Sequence, residues 1–580
     1  MEPTGSNPPV ARRGGDLLVP CLLARRGGDL LVQCLLAHDV SLWTCVPGES
    51  FLPVLDALYE QSRAPGGPVT LVTTRHEAAA ANIAEAAGKL TGRAAVCLVT
   101  RGPGATHASI ALHTAYQDGT PLILVVGQVE RGHLGRQAFQ EMDYDRVFGS
   151  SAKSVSMVMD ADRIPEHVAQ AVFIAHSGRP GPVVLVLPED VLSDLTRAPV
   201  LRSPETGRPD LAAADRDRLL AELDAAERPV LVVGGPGWSQ CVGEQVIGFA
   251  EQNAVPVAAA FRWQDAVANA SRSYVGYLGL GCSAGLRRRL ADADLIVGLG
   301  PRLDDPTTGG YTLTEGGARV VLVSEAAEEL GRTPVPDVAL HGSMASVAGA
   351  LTGSQLRRSP ARARWLSELR AEQERFATPP VPAPDPDLAS VVAHIRDTVP
   401  DDAVIANGAG NYTVWVQRFF EFRRFGTQLA PRNGAMGYGL PAALAAAALD
   451  PGRVVVAFAG DGCLLMSGSE LATAVQYGLR LVVVVVNNSM FGTIRMHQER
   501  AYPAHVIATD LRNPDFVAYA RAFGAAGHLV QTTAEFPAAF AAALGHDGPS
   551  LIEIRTDREQ ITPDLRIGDL RQANESRTAC

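Results

Sequence analysis

The chain has 580 residues, enough for three or four domains with large cores. A hydrophobic share of 47% against 19% charged residues excludes a disordered or low-complexity protein, and a net charge of −11 argues against nucleic acid or an acidic membrane surface as partner. The eight cysteines (21, 34, 45, 97, 241, 282, 463, 580) form no CxxC pair, no uncharged apolar run is long enough to span a membrane, and the amino terminus lacks a signal-peptide layout, so free thiols and a cytoplasmic location are expected.

Ala11–Leu23 and Ala24–Leu36 are tandem copies of a 13-residue unit that differ only at Pro20 and Gln33. One repeated unit is too short for a solenoid. The second copy runs into the globular pattern and is expected to form the first helix. The first copy has Pro20 inside its periodic run, and residues 1–23 are expected to be a peripheral extension.

From residue 24 onward, strand-like apolar runs alternate with helical patterns, which is the layout of parallel sheets covered by helices on both faces. The predicted fold is α/β, with three doubly wound parallel-sheet domains. The first domain, 24–190, has strands at Val69–Val72, Ala95–Thr100, Pro121–Val126 and Val183–Leu187, with helices Glu77–Leu90 and Ala105–Asp118 among them. The polar, proline-bearing Ser203–Asp217 leads into a central Rossmann-like domain at 205–352. Its strands are Val230–Val233, Val255–Ala259, Leu295–Leu299 and Val320–Val323. Residues 353–387 read as a linker that crosses a helical stretch and ends in the semi-rigid, proline-rich Pro379–Asp387. The third domain covers 388–565. The chain turns polar from Thr562, and 566–580 is expected to be a mobile tail.

Inside the third domain an apolar run ends on Gly460-Asp461-Gly462. After 24 further residues a second run, Leu481–Val486, ends on Asn487-Asn488. Two neighbouring parallel strands would present a carboxylate and a carboxamide at their carboxyl ends, where open α/β sheets bind ligands. One anionic and one neutral oxygen suit Mg²⁺, which keeps positions free for phosphate oxygens and water. The glycines permit a sharp turn, and the intervening Ser469–Gly478 reads as a helix whose amino end faces a diphosphate. Either piece alone is an ordinary turn or polar loop; the information is in their spacing.

This pattern resembles the diphosphate-binding motif of thiamine diphosphate (ThDP) enzymes, GDG followed some two dozen residues later by NN. The three-segment order, together with AEAAGKLTGRAAVCLVTRGPGATHASIALHTAYQDGTPLILVVGQ at Ala84–Gln128, resembles the acetolactate synthase-like branch (acetohydroxyacid synthase large subunits). The resemblance implies that the first domain holds the aminopyrimidine and the third the diphosphate. It implies metal ligation by Asp461, Asn488 and the Met490 carbonyl, with Gly460, Asp461, Gly462 and Cys463 against the cofactor. It makes Glu77 the catalytic carboxylate, Met436 the wedge that bends the cofactor, and the Gly434 carbonyl the acceptor of its amine hydrogen. From the residues alone, Glu77 is equally a helix-dipole complement and Met436 equally core filler. The implied substrate pocket draws on Pro47, Gly48, Glu49, Gln128, Phe139, Gln140 and His497. Pro47-Gly48-Glu49-Ser50 replaces the family's Pro-Gly-Gly, His107 stands where family members usually carry Asn, and His497 stands where biosynthetic acetolactate synthases have Trp. Gln128 and Gln140 can instead serve backbone groups, and His497 is either a proton donor or a plain surface group.

The implied activity is ThDP- and Mg²⁺-dependent decarboxylation of a 2-keto acid with carboligation to an acceptor carbonyl. Because the family's cofactor bridges two subunits, a homodimer or homotetramer is expected. The alternatives are a 2-keto acid decarboxylase or aldehyde carboligase without FAD, a flavin-linked 2-keto acid oxidase, and an inactive ThDP-fold subunit. The joint presence of Glu77, Met436, Asp461 and Asn488 argues against the last. Acetolactate synthases carry FAD in the central domain. Here Gly234-Gly235-Pro236-Gly237 supplies a turn, Arg302 is kept, Pro306 replaces a second arginine, and Glu325 stands where an Asp is expected, which leaves FAD open.

Overall fold

The computed structural model describes residues 24–63, 69–204, 207–332, 334–381 and 384–578; the proposed extension 1–23 lies outside them. Three six-stranded sheets follow one another along the chain, and all of their pairings are parallel. With strands numbered in chain order within each sheet, the first and third sheets both run 2-1-3-4-6-5, whereas the central sheet runs 3-2-1-4-5-6. Both orders reverse direction beside strand 1, which opens a crevice at the carboxyl ends.

The inner strands are near-continuous aliphatic runs, buried on both faces as parallel sheets require: Leu122–Gln128, Pro182–Pro188 and Val482–Asn487 are buried at every position. The alanine-rich Glu77–Thr91 helix begins on His76, whose Nδ1 accepts the Ala78 N–H, and ends on Gly92 at φ +68°. Its small side chains let it lie close to the helix Gly439–Leu449 of the third domain. A Cβ on Gly88 would stand 2.3 Å from the Pro121 carbonyl oxygen. Through this contact the first and third sheets share one apolar cluster, reaching from Leu42 and Ala80 to Ala443 and Val483. The central sheet packs within clusters of its own. The six described cysteines, Cys34, Cys45, Cys97, Cys241, Cys282 and Cys463, are free.

Two boundaries differ from the sequence reading. The helical stretch expected within 353–387 is present as Pro360–Ala377, but it is part of the central domain and not linker: Trp365 and Leu369 enter that domain's core and Trp365 Nε1 donates to the Pro229 carbonyl at 2.9 Å. The expected mobile tail is also structured. Gln560–Thr562 pairs with Leu565–Arg566, and Ile567–Thr578 is a helix. It packs on the helix Gly492–Ala501 through Met496, Ile567 and Leu570. Below that apolar contact, Arg571 and Arg495 both bind the fully buried Glu499 carboxylate, holding its pKa down at about 2. A helix with so few apolar residues leaves little trace in sequence periodicity.

Candidate active site

The crevice of the third sheet contains a cavity of about 250 Å³. Its wall includes Gly410–Tyr412 beyond strand 1, Gly460–Cys463 beyond strand 3, and Asn488 with Met490–Ile494 beyond strand 4; Gly434 and Met436 close one side. Asp461 is 3% exposed. Its Oδ1 accepts the Gly462 N–H at 2.9 Å and its Oδ2 accepts the Asn513 amide at 2.7 Å. Burial raises the Asp461 pKa, and these donors oppose the rise. A carboxylate buried among amide donors gains most from a cation at its remaining lone pairs.

The two adjacent asparagines divide their work. Asn487 is drawn into the sheet, donating to Glu553 at 2.8 Å and accepting from Asn513 at 2.9 Å. Asn488 faces the cavity, and its Oδ1 accepts the Met490 N–H at 3.3 Å. Ser489 takes φ +56°, reversing the chain so that Met490 also reaches the cavity wall. Asp461, Asn488 and Met490 thus line one wall, and the Asp461 carboxylate and Asn488 amide oxygens are of the type that would fit Mg²⁺; the Met490 carbonyl accepts the Gly492 N–H at 2.9 Å. A Cβ on Gly462 would sit 2.6 Å from the Phe491 ring, so this turn admits only glycine without rearrangement.

Cys463 ties this turn to the Met436 loop, because its Sγ accepts the Gly437 N–H at 3.2 Å. Gly434 has φ +72°, and the direction its side chain would take is open space. Asn513 was not singled out from the sequence. Its Asn513-Pro514-Asp515 context signals only a turn before a helix, and its bond to Asp461 spans 52 residues.

A second cluster lies at the equivalent crevice of the first sheet. Glu77 opens its helix and is 13% exposed in its side chain; His107 Nδ1 stands 2.9 Å from Glu77 Oε2. Pro47–Ser50 and Thr100–Gly104 meet here, with Ser50 and Thr100 hydroxyls 2.9 Å apart. A Cβ on Gly48 would lie 2.6 Å from Thr100 Cβ. Glu49 reaches Arg101 at 3.7 Å. Gln140, at φ +65°, packs on Gly102 and keeps a buried Oε1 without a partner, whereas Phe139 is 75% exposed in the single chain. Gln128 is different: its amide donates to the Met142 carbonyl and its Oε1 accepts the Val129 N–H, so both polar ends are bound to backbone.

Within one chain the structure does not bring the two clusters together. Every residue lining the third-domain cavity falls between Leu388 and Ile561. Glu77 lies outside it, as does His497, exposed on the helix Gly492–Ala501. The third domain nevertheless grips the turn that leads to Glu77. The fully buried Glu470 accepts the Arg75 N–H at 3.0 Å, and the Tyr477 hydroxyl accepts the Thr73 N–H at 2.8 Å. Burial raises the Glu470 pKa, while Thr473 and the Arg75 N–H hold its charged form. Further along the same interface, Tyr438 donates to Glu85 at 2.6 Å. Burial, then the nearby Asp118, pushes Glu85 up to about 7 against the pull of Lys89.

Three family profiles described as thiamine pyrophosphate enzyme domains match in order: the N-terminal TPP binding domain at 25–147, the central domain at 216–351 and the C-terminal TPP binding domain at 408–554. The acetolactate synthase large subunit of Parasynechococcus marenigrum is 32% identical over 539 residues, covering 90% of this chain and 86% of its own length. The isozyme 1 large subunit of Escherichia coli is 30% identical, covering 90% and 92%. The chloroplastic acetolactate synthase 2 of Zea mays is 30% identical, covering 98% and 89%. With its three parallel sheets matching the three domains, the chain belongs to the thiamine diphosphate enzymes and is related to acetolactate synthase large subunits.

Proposed function

We propose that this chain catalyses ThDP- and Mg²⁺-dependent decarboxylation of a 2-keto acid with transfer of the remaining acyl unit to an acceptor carbonyl. The observation that carries this reading is the third-domain cavity, which gathers Asp461, Asn488, Met490, Met436 and Gly434 around one space. ThDP supplies the electron sink for loss of CO₂. Asp461, Asn488 and the Met490 carbonyl hold the metal, leaving positions for diphosphate oxygens and water. Met436 props the cofactor from the cavity side, and Glu77 holds or releases a proton at its carboxyl oxygen. Because the cavity lacks a first-domain wall, we infer that the Glu77 cluster of a second copy completes it, giving at least a homodimer. Purified protein with ThDP, Mg²⁺ and pyruvate is expected to form acetolactate. Acetaldehyde as the sole product would replace this reading with simple decarboxylation, and an active monomer in sedimentation would remove the shared site.

A cleft between the first and central domains would take a nucleotide-sized ligand. Its volume is about 630 Å³, and it is lined by Gly235, Gly237, Gly300, Glu325 and Arg179. The Arg179 Nε is buried without a partner, and burial lowers the Arg179 pKa to about 9; a phosphate would satisfy both deficits. Arg302, which the resemblance would turn toward a flavin, is instead held by both oxygens of buried Glu329. The residues fit a phosphate through Arg179 rather than Arg302. A yellow, bleachable chromophore in purified protein would identify the ligand as FAD, and electron-acceptor dependence would favour the oxidase alternative.

A further inference from the structure

We infer that His107 is a positioning residue and proton relay for Glu77, an inference that rests on the function proposed above. Glu77 opens the helix Glu77–Thr91, and His107 lies in the second turn of the neighbouring helix Pro103–Asp118, so the two side chains meet near the amino ends of both helices. His107 Nδ1 lies 2.9 Å from Glu77 Oε2. On the other side, a Cβ at Gly104 would stand 3.3 Å from Glu77 Oε1, so that oxygen has room but little freedom. The carboxyl group is thus fixed between a small residue and a titratable one.

The bonding pattern also assigns the protons. A carboxylate oxygen only accepts, so His107 donates from Nδ1 and its Nε2 is left to exchange with water; in the single chain the ring is 51% exposed. His76 stacks on His107, with ring centroids 4.5 Å apart at 29°. Its Nδ1 accepts the Ala78 N–H at 3.1 Å, which places the His76 proton on Nε2. A proton on His76 Nδ1 would break that helix cap and set a cation against the face of the His107 ring. Of the two imidazoles, His107 is therefore the one built to pass protons.

The relay balances without any other reactant. When Glu77 gives up its proton, Oε2 takes the Nδ1 proton of His107 while Nε2 takes one from solvent. When Glu77 is reprotonated, Oε2–H returns its proton to Nδ1 and Nε2–H releases one to water. The imidazole is neutral at the end of each half-cycle. Asn at this position can donate one hydrogen bond but cannot carry a proton through.

The test uses full-length protein with ThDP and Mg²⁺ and compares His107→Asn, His107→Ala and Glu77→Gln. The expected result for both His107 variants is ThDP affinity, read by fluorescence titration without substrate, within about threefold of wild type. Their kcat should fall about 10- to 100-fold at little-changed KM, less than the roughly 10²- to 10⁴-fold of a group that transfers the proton directly, because His107 acts through Glu77. Added imidazole should restore kcat in His107→Ala by about tenfold and leave His107→Asn, whose pocket is filled, unaffected. Unchanged kcat in His107→Asn would overturn the relay, as would failure of imidazole to rescue His107→Ala. Loss of ThDP affinity in step with kcat would overturn it as well, by making His107 a structural support only. Glu77→Gln separates this inference from the reading beneath it: full activity there removes the proposed function itself, whereas normal His107 variants beside a dead Glu77→Gln remove only the relay.

Discussion

The first and third domains repeat one strand order and put loops at the same crevice, yet the chemistry they place there differs in kind. In the third domain the crevice combines glycine turns and a single carboxylate held by amide donors with an apolar wall that includes Trp415, Met436 and Phe491, a setting for a cofactor with a charged end and an apolar body. In the first, a glutamate and two imidazoles meet, a setting for moving protons. The scaffold fixes where a ligand sits, and a few strand-end residues decide what happens to it. The central domain makes the contrast sharper: its different order, 3-2-1-4-5-6, comes with a separate core, and its glycine turns share a cleft with residues of the first domain.

The widest gap between the halves should appear on replacing Glu77 by Gln. Turnover is expected to fall by about 10²- to 10⁴-fold, with ThDP binding and Tm near wild type; a parallel loss of cofactor affinity would erase the division of labour. Asp461→Asn should do the reverse, weakening Mg²⁺-dependent ThDP binding by at least about 100-fold in a fluorescence titration. If kcat fell at saturating cofactor while affinity held, Asp461 would not be a metal ligand. Asn513→Ala, one step behind Asp461, is expected to cost about 10- to 100-fold in Mg²⁺ affinity, and an unchanged affinity would reduce Asn513 to loop structure.

The smallest effects concern two buried carboxylates with opposite pH slopes. Glu85 has its pKa raised from 4.5 to about 7 in the fold, so the folded chain binds the extra proton and stability should fall as pH rises from about 4.5 to about 7. Glu499 is lowered from 4.5 to about 2, so its contribution is complete above about 4.5 and should be lost as pH falls toward 2. Thermal unfolding across pH should therefore flatten on the neutral side in Glu85→Gln and on the acid side in Glu499→Gln. Interchanged slopes would reverse both assignments.

Much of this was legible because parallel strands announce themselves as unbroken aliphatic runs. Leu295–Leu299 was read with its bounds as found, and the runs ending on Gly460 and Asn487 set the cavity's two main walls. What stayed hidden depends on contacts distant in sequence. Nothing near Asn513 reveals that it reaches Asp461, and nothing near Glu470 reveals that it holds the backbone of Arg75, 395 residues away. The helix Ile567–Thr578 carries few apolar residues, so periodicity reads it as a loose end; the helical stretch before Pro379 is legible, but not its docking on the central domain through Trp365 and Leu369. The local pattern at Gln128 was ambiguous for another reason: a buried amide looks the same whether it serves substrate or backbone, and here it serves backbone.

A cavity whose wall comes wholly from one domain, with Glu77 standing outside it, also has a genetic consequence. If each site takes its metal-binding half from one chain and its proton-handling half from another, defects in the two halves are separable between chains. Mixing inactive Glu77→Gln and Asp461→Asn subunits would then assemble some oligomers in which one site collects both lesions and the other collects none. Two dead proteins would yield a living one, and the activity regained would count the mixed assemblies.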